Sequence, residues 1–146
     1  LKVIIIYQTN YGNNRIIGQY AASTLEAWGH EVDLHNVYDI TPNEVKGADF
    51  YLFCSPTHMG KAPQKIRSFL KAFAKVQKEG KYATIVTGLP ISPEKRDGRT
   101  EEMLDTILSE TFMTDAGSLR INSLNIKGPL EEGWEKKVDA FLETVI

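Results

Sequence analysis

Apolar residues follow two rhythms along this chain. Val3-Ile4-Ile5-Ile6, Phe50-Tyr51-Leu52-Phe53-Cys54 and Ala83-Thr84-Ile85-Val86 are short, nearly unbroken apolar runs, the pattern of strands covered on both faces of a parallel sheet. Between them the period lengthens. Ile17, Tyr20, Ala21, Leu25 and Trp28 recur at helical spacing up to Gly29, and Ile66, Phe69, Leu70 and Phe73 do so between Pro63 and Lys78, with Gly80 as the stop. Met103, Leu104, Ile107 and Leu108 predict a further helix, and Trp134, Val138, Phe141, Leu142 and Val145 a closing one. Glu31 to Val37 alternates polar and apolar residues, as a half-exposed strand nearer the sheet edge does, and Thr41-Pro42-Asn43-Glu44 is a capping box that opens a short helix. A last strand is expected within Leu119 to Ile126. Trp28, Trp134 and Cys54 stand on apolar stripes or at the end of a buried run and are expected in the core.

Strand and helix thus alternate five times, which predicts a three-layer α/β domain with right-handed crossovers. At 146 residues the chain is the size of one compact domain, so residues 1–146 are read as a single unit. The polar sequence is not spread evenly. It concentrates in Thr9 to Asn14 after the first strand, Ser55 to Pro63 after the third and Thr87 to Gly98 after the fourth, while the turns at the opposite strand ends are short. In open α/β sheets a ligand sits beyond the carboxyl ends of the strands, where strand order reverses. One rim therefore carries the candidate site.

The first loop, Tyr7-Gln8-Thr9-Asn10-Tyr11-Gly12-Asn13-Asn14, has the chemistry of an anion cradle. A strand-to-helix turn aims backbone N–H groups and the positive end of the helix dipole at one point. Thr9, Asn10, Asn13 and Asn14 add hydroxyl and amide donors, and Gly12 lets the backbone approach a ligand closely. The Gly and Lys spacing of a Walker loop and the three glycines of a dinucleotide fingerprint are both missing.

Thr9-Asn10-Tyr11-Gly12-Asn13-Asn14 resembles the Thr/Ser-x-Thr-Gly-Asn-Thr phosphate loop of flavodoxins, and Ser55-Pro56-Thr57-His58-Met59-Gly60 resembles their loop beside the flavin. The resemblance spans nearly the whole chain and points to the short-chain members. It implies a doubly wound five-stranded parallel sheet in the order 2-1-3-4-5 and one non-covalent FMN. It also implies an electron carrier that shuttles low-potential electrons between redox proteins through a flavin semiquinone. The phosphate would take the backbone N–H groups of Asn10, Tyr11, Gly12, Asn13 and Asn14 and the hydroxyl of Thr9. Pro56, Thr57, His58, Met59 and Gly60 would flank the flavin on one side, and Thr87, Gly88, Leu89 and Pro90 on the other. Gly60 would offer its carbonyl to the protonated flavin N5 and so tune the redox levels. Tyr11 and Asn14 stand where the family usually has Thr. No Trp or Tyr follows the third or fourth strand, so ring stacking would fall to His58, Met59, Leu89 and Pro90.

Composition narrows the alternatives. A net charge of −2 supplies no basic excess for nucleic acid, and no apolar run approaches the ~18 residues of a membrane span. One cysteine excludes an intrachain disulfide, and His30, His35 and His58 lack the spacing of a metal site. Leu1 to Tyr7 is too short for a signal-peptide core, so a soluble, cytoplasmic protein is expected, its initiator Met lying before Leu1. Charge does cluster locally. Lys61, Lys65, Lys95, Arg96 and Arg99 lie in or beside the two flavin loops and would face an acidic redox partner, softening the electrostatic penalty on a reduced flavin. Tyr11 and Ser55-Pro56-Thr57 also resemble the flavodoxin-like NAD(P)H:quinone oxidoreductases, which gives an FMN-dependent reductase as the alternative. Their His-Gly-Gly pattern is absent from Thr87-Gly88-Leu89-Pro90. A response regulator of the same strand order would need acidic residues where this chain has Tyr7-Gln8-Thr9 and Cys54-Ser55.

Overall fold

Successive residues of a strand point to opposite faces, and here both faces are apolar. Ile4, Ile6, Tyr51, Phe53, Tyr82 and Val86 are buried on one side, while Val3, Ile5, Phe50, Leu52, Cys54, Ala83 and Ile85 are buried on the other. A sheet of such strands needs cover on both faces. The structure, a computed structural model, describes residues 1–90 and 99–146. Its strands are β1 (Lys2–Tyr7), β2 (Glu31–Asn36), β3 (Phe50–Pro56), β4 (Lys81–Gly88) and β5 (Thr114–Asn122), and its helices are α1 (Asn13–Ala27), α2 (Pro42–Val45), α3 (Gln64–Val76), α4 (Arg99–Leu108) and α5 (Trp134–Val145). The strands pair in parallel in the order β2-β1-β3-β4-β5. This is the doubly wound sheet that the sequence predicts.

The α3 and α4 side holds an aromatic cluster of Tyr51, Phe53, Phe69 and Phe73, with the rings of Tyr51 and Phe73 edge to face at 4.8 Å. The Tyr51 hydroxyl donates to the Val45 carbonyl at 2.6 Å and accepts from the Ala48 N–H at 3.0 Å, so this buried polar tip is satisfied. The α1 and α5 side packs Ile17, Ala21 and Leu25 against Val138 and Leu142. There the Tyr20 hydroxyl donates to Asp139 Oδ2 at 3.0 Å, and the Tyr20 ring meets Trp134 edge to face at 5.3 Å. Cys54 is buried in this layer, and burial pushes its thiol up to about 12, which leaves it a core residue.

Two expectations need correction. The last strand runs from Thr114 to Asn122, earlier than Leu119 to Ile126. Its first half, Thr114-Asp115-Ala116-Gly117-Ser118, is polar or small because this edge strand is only partly covered, so neither rhythm marks it. Ser123 to Ile126 instead belongs to the following loop, where Ser123 bridges to Leu130. Trp28 is the other case. It is 42% exposed, because it stands at the C-cap of α1, where the helix leaves the sheet. Trp134, by contrast, packs partly buried against the α1 and α5 core.

Asp105 on α4 lies 3.4 Å from the Tyr82 hydroxyl. Burial and the charge of Asp115 push its carboxyl up to about 6, against the Tyr82 hydrogen bond and with a smaller push from Glu101. The folded protein then holds a proton that the unfolded chain releases nearer pH 4, so the stability that the protonated group contributes is lost as pH rises through 6. Asp105→Asn is expected to flatten the fall in Tm over that interval and to raise Tm at pH 7. An unchanged Tm at pH 7 would contradict this.

Candidate functional site

The Thr9 to Asn14 loop leaves the centre of the sheet under tight constraint. Gln8 is buried, its N–H donates to the Cys54 carbonyl at 3.0 Å, and its side-chain Oε1 accepts from the Ile66 N–H at 2.9 Å. One side chain therefore ties β1 to the first turn of α3. Thr9 Oγ1 accepts from the Gly12 N–H at 2.8 Å, which leaves its own O–H free to donate. Gly12 is the N-cap of α1 at φ 93°, a left-handed conformation that glycine adopts without strain. No side chain caps this helix, and its first turn has no acidic residue. The N–H groups of Asn13, Asn14 and Arg15 therefore lack intrahelical acceptors, and the helix dipole adds partial positive charge at the same place.

Asn14 is 1% exposed and lines the opening. Its Nδ2 donates to Thr87 Oγ1 at 2.9 Å, while its Oδ1 has no protein partner. Turning the amide over would let Oδ1 accept from the Thr87 hydroxyl and free Nδ2. In either orientation one amide atom is left for a ligand, because a buried polar atom without a partner costs about 1–3 kcal/mol.

The second loop is built on a narrow turn. His58 and Lys61 exchange backbone hydrogen bonds of 2.8 and 3.1 Å, so Met59 and Gly60 form a two-residue turn. Both have positive φ, 51° and 81°, as a type I′ turn requires. Met59 is 86% exposed. The loop is pinned to β4 where the Thr57 N–H donates to the Thr87 carbonyl at 2.8 Å. At Gly88 a Cβ would stand 2.9 Å from Arg120 Nη1 and 3.2 Å from Thr57 Oγ1, so a larger residue there would have to push both aside.

These loops enclose a cavity of about 550 Å³, within the range of small-molecule sites. Thr9, Asn10, Tyr11, Asn13, Asn14, Pro56, Thr57, His58, Met59, Gly60, Thr87, Gly88, Leu89 and Pro90 all line it. Gly12, also singled out from the sequence, shapes the cradle from behind as the N-cap. Arg120, Ser123 and Ile126 complete the wall and were not foreseen. They follow from where β5 lies: its last residues run beside Gly88, and the Ser123 N–H donates to the Gly88 carbonyl at 2.8 Å. The loop after β5 then folds back to α1, with Asn13 Nδ2 donating to the Lys127 carbonyl at 3.4 Å. The polar run around Ser123 was the available signal, obscured by the misplaced strand.

The basic rim is only partly assembled. Lys61 and Arg99 are exposed beside the cavity loops, whereas the Lys65 ammonium lies 5.4 Å from the centre of the Tyr38 ring. Lys95 and Arg96 lie outside the described residues. Among the described residues no group of His, Cys, Asp and Glu could hold a metal, and no helix is long and apolar enough to cross a membrane.

An uncapped helix at a strand-order reversal, beside two loops that line the same cavity, is the arrangement of a nucleotide-type cofactor site on an α/β sheet. The flavodoxin domain model matches residues 4–127, and the chain belongs to that family. Flavodoxins bind FMN and pass electrons between redox partners. The flavodoxin of Streptococcus pneumoniae TIGR4 is similar in fold, with TM-score 0.79 and 17% identity over 99% of this chain and 97% of that one. Flavodoxin 2 of Bacillus cereus gives TM-score 0.78 and 22% identity over 98% and 99%, and flavodoxin 1 of that organism gives 0.78 and 17% over 99% and 97%. No curated protein sequence matches the chain. The residues present fit FMN: the α1 N-terminus and the unpartnered Asn14 oxygen offer groups for a phosphate and its neighbouring hydroxyls, and the loops after β3 and β4 line the rest of the same cavity.

Because Gln8 both fills the base of the first loop and caps α3, its removal tests how the site is held together. Gln8→Ala is expected to destabilise the protein by about 1–3 kcal/mol, the cost of leaving the Ile66 N–H without its buried partner. Urea unfolding would measure it, and an unchanged midpoint would show that this link is dispensable.

Proposed function

We propose that residues 1–146 act as one flavodoxin domain that carries low-potential electrons, holding a single FMN across the carboxyl edge of the sheet. The observation behind this reading is the N-terminus of α1, uncapped and without acidic residues, opening into the 550 Å³ cavity. FMN, when bound, supplies one-electron chemistry. The protein's part is to hold and bias it. The backbone N–H groups of Asn10, Tyr11, Asn13 and Asn14 and the Thr9 hydroxyl bind the phosphate, the Gly12 N–H being already donated to Thr9 Oγ1, and Asn14 takes a hydroxyl or phosphate oxygen according to which amide atom it presents. His58, Met59, Leu89 and Pro90 cover the ring, and Pro56, Thr57, Thr87 and Gly88 shape its edge. Such a wall is apolar and poor in aromatic rings.

Gly60 is the residue to which we assign redox tuning, through its carbonyl and the proton on flavin N5. It lies at φ 81° with nothing within 4 Å of where a Cβ would stand. Glycine can turn its peptide there without the penalty that any other residue would meet. Lys61 and Arg99, joined by Lys65, Lys95 and Arg96 of the same loops and helices, favour an acidic face on the protein partner. A single cysteine, buried and unpaired, suits a cytoplasmic setting.

Titration of the apoprotein with FMN, followed by quenching of flavin fluorescence, is expected to end at one FMN per chain. Gly60→Val should keep that stoichiometry and shift the reduction potentials. A protein that takes up no FMN would overturn the proposal. Sustained NAD(P)H oxidation without a reductase partner would favour the FMN-dependent oxidoreductase instead.

A further inference from the structure

Arg120 is the one cationic side chain in the described wall of the cavity. It is held rigidly. Its Nε donates to Glu101 Oε2 at 3.1 Å and its Nη2 to Glu101 Oε1 at 3.2 Å, a forked pair between β5 and α4. The two side chains are 20% and 15% exposed, so water screens them less than a surface pair. The remaining nitrogen, Nη1, lies beside Gly88, 2.9 Å from where a Gly88 Cβ would stand. The pair is neutral as a whole but not symmetric. It turns its positive end to the cavity and its negative end to α4.

Strand register shows which end of the cavity this charge serves. Arg120 is paired with Val86, and Thr87 with Ile121, so Arg120 shares the face of Val86, on the α3 and α4 side. Thr87 shares the face of Ile121, on the α1 and α5 side, where it meets Asn14. The anion cradle and the guanidinium therefore lie on opposite faces of the sheet, with the cavity crossing its edge between them. A phosphate at the N-terminus of α1 is not the partner of Arg120. What reaches Arg120 is the far end of the same ligand, beside Thr57 and Gly88.

We infer that Arg120, clamped by Glu101, is a positioning cation at the ring end of the cofactor site, and that it binds reduced, negatively charged flavin in preference to oxidised, neutral flavin. This rests on the reading of the cavity as an FMN site. Reduction adds two electrons and, at neutral pH, one proton to the flavin ring, which leaves it with one negative charge. A cation fixed at that end stabilises the charged form and has little to act on in the neutral form.

The test compares FMN-loaded wild type with Arg120→Gln, Arg120→Lys and Glu101→Gln, using the two-electron midpoint potential together with the Kd for oxidised FMN. Arg120→Gln is expected to keep the oxidised Kd within about twofold and to weaken reduced FMN about tenfold, a fall of about 30 mV in the midpoint. Arg120→Lys, which keeps the charge but loses the fork, should fall between wild type and Arg120→Gln. Glu101→Gln, which leaves the guanidinium uncompensated, should raise the midpoint. An Arg120→Gln protein with a wild-type midpoint would overturn the inference and leave a purely structural ion pair. Should that variant not fold, Glu101→Gln decides: a raised midpoint supports the inference, and an unchanged or lowered one overturns it. Wild type that takes up no FMN would instead remove the underlying reading, an outcome visible before any variant is made.

Discussion

A parallel sheet whose three inner strands are buried on both faces leaves a protein few places at which to meet a ligand. The faces are covered by helices, the backbone of the inner strands is fully paired, and only the strand ends remain open. In this chain the carboxyl ends of β1, β3 and β4 carry the irregular sequence. The N-terminus of α1 opens onto the same edge with its donors unspent. The buried sheet fixes where those donors point. Gln8 carries that constraint outward, since its hydrogen bond to the Ile66 N–H makes the start of α3 depend on the exit of β1.

The site has two chemically distinct ends. On the α1 and α5 side the groups are neutral and numerous: backbone N–H groups, a threonine hydroxyl and the buried Asn14 amide, unpartnered at Oδ1. Such donors suit a phosphate that must be held without a fixed counter-charge. On the α3 and α4 side the described wall of the cavity carries one cation, Arg120, fixed by Glu101. Between the ends, Gly88 and the Met59 and Gly60 turn provide clearance and conformational freedom where side chains would intrude or strain. On the proposed reading, holding the cofactor and biasing it are divided between different faces of the sheet.

Much of this was legible from the chain. The runs at Val3 to Ile6 and Phe50 to Cys54 could only be strands covered on both faces, and the three polar loops after them named most of the cavity wall. Gly12 stood out as the point where the backbone can approach a ligand, and Gly60 through the resemblance of its loop to the flavodoxin loop beside the flavin. The parts that were not legible share a cause, which is dependence on partners distant in sequence. The first half of β5 is polar and reads as a loop until its pairing with β4 is known. With the strand misplaced, Arg120 could not be brought to Gly88 or Ser123 to the cavity. Trp28 looked like core because helical spacing cannot tell where a helix runs past the edge of its sheet. Gln8 gave no signal, since a buried glutamine gains meaning only from the N–H it meets.

On the proposed reading the uncapped start of α1 binds a phosphate while the neighbouring loops bind the ring attached to it. Comparing apoprotein affinity for FMN and for riboflavin, which has the same ring and chain but no phosphate, tests it most directly. FMN should bind at least about 100-fold more tightly, a difference of about 2.7 kcal/mol. Equal affinities would place no phosphate at the N-terminus of α1 and would contradict the account.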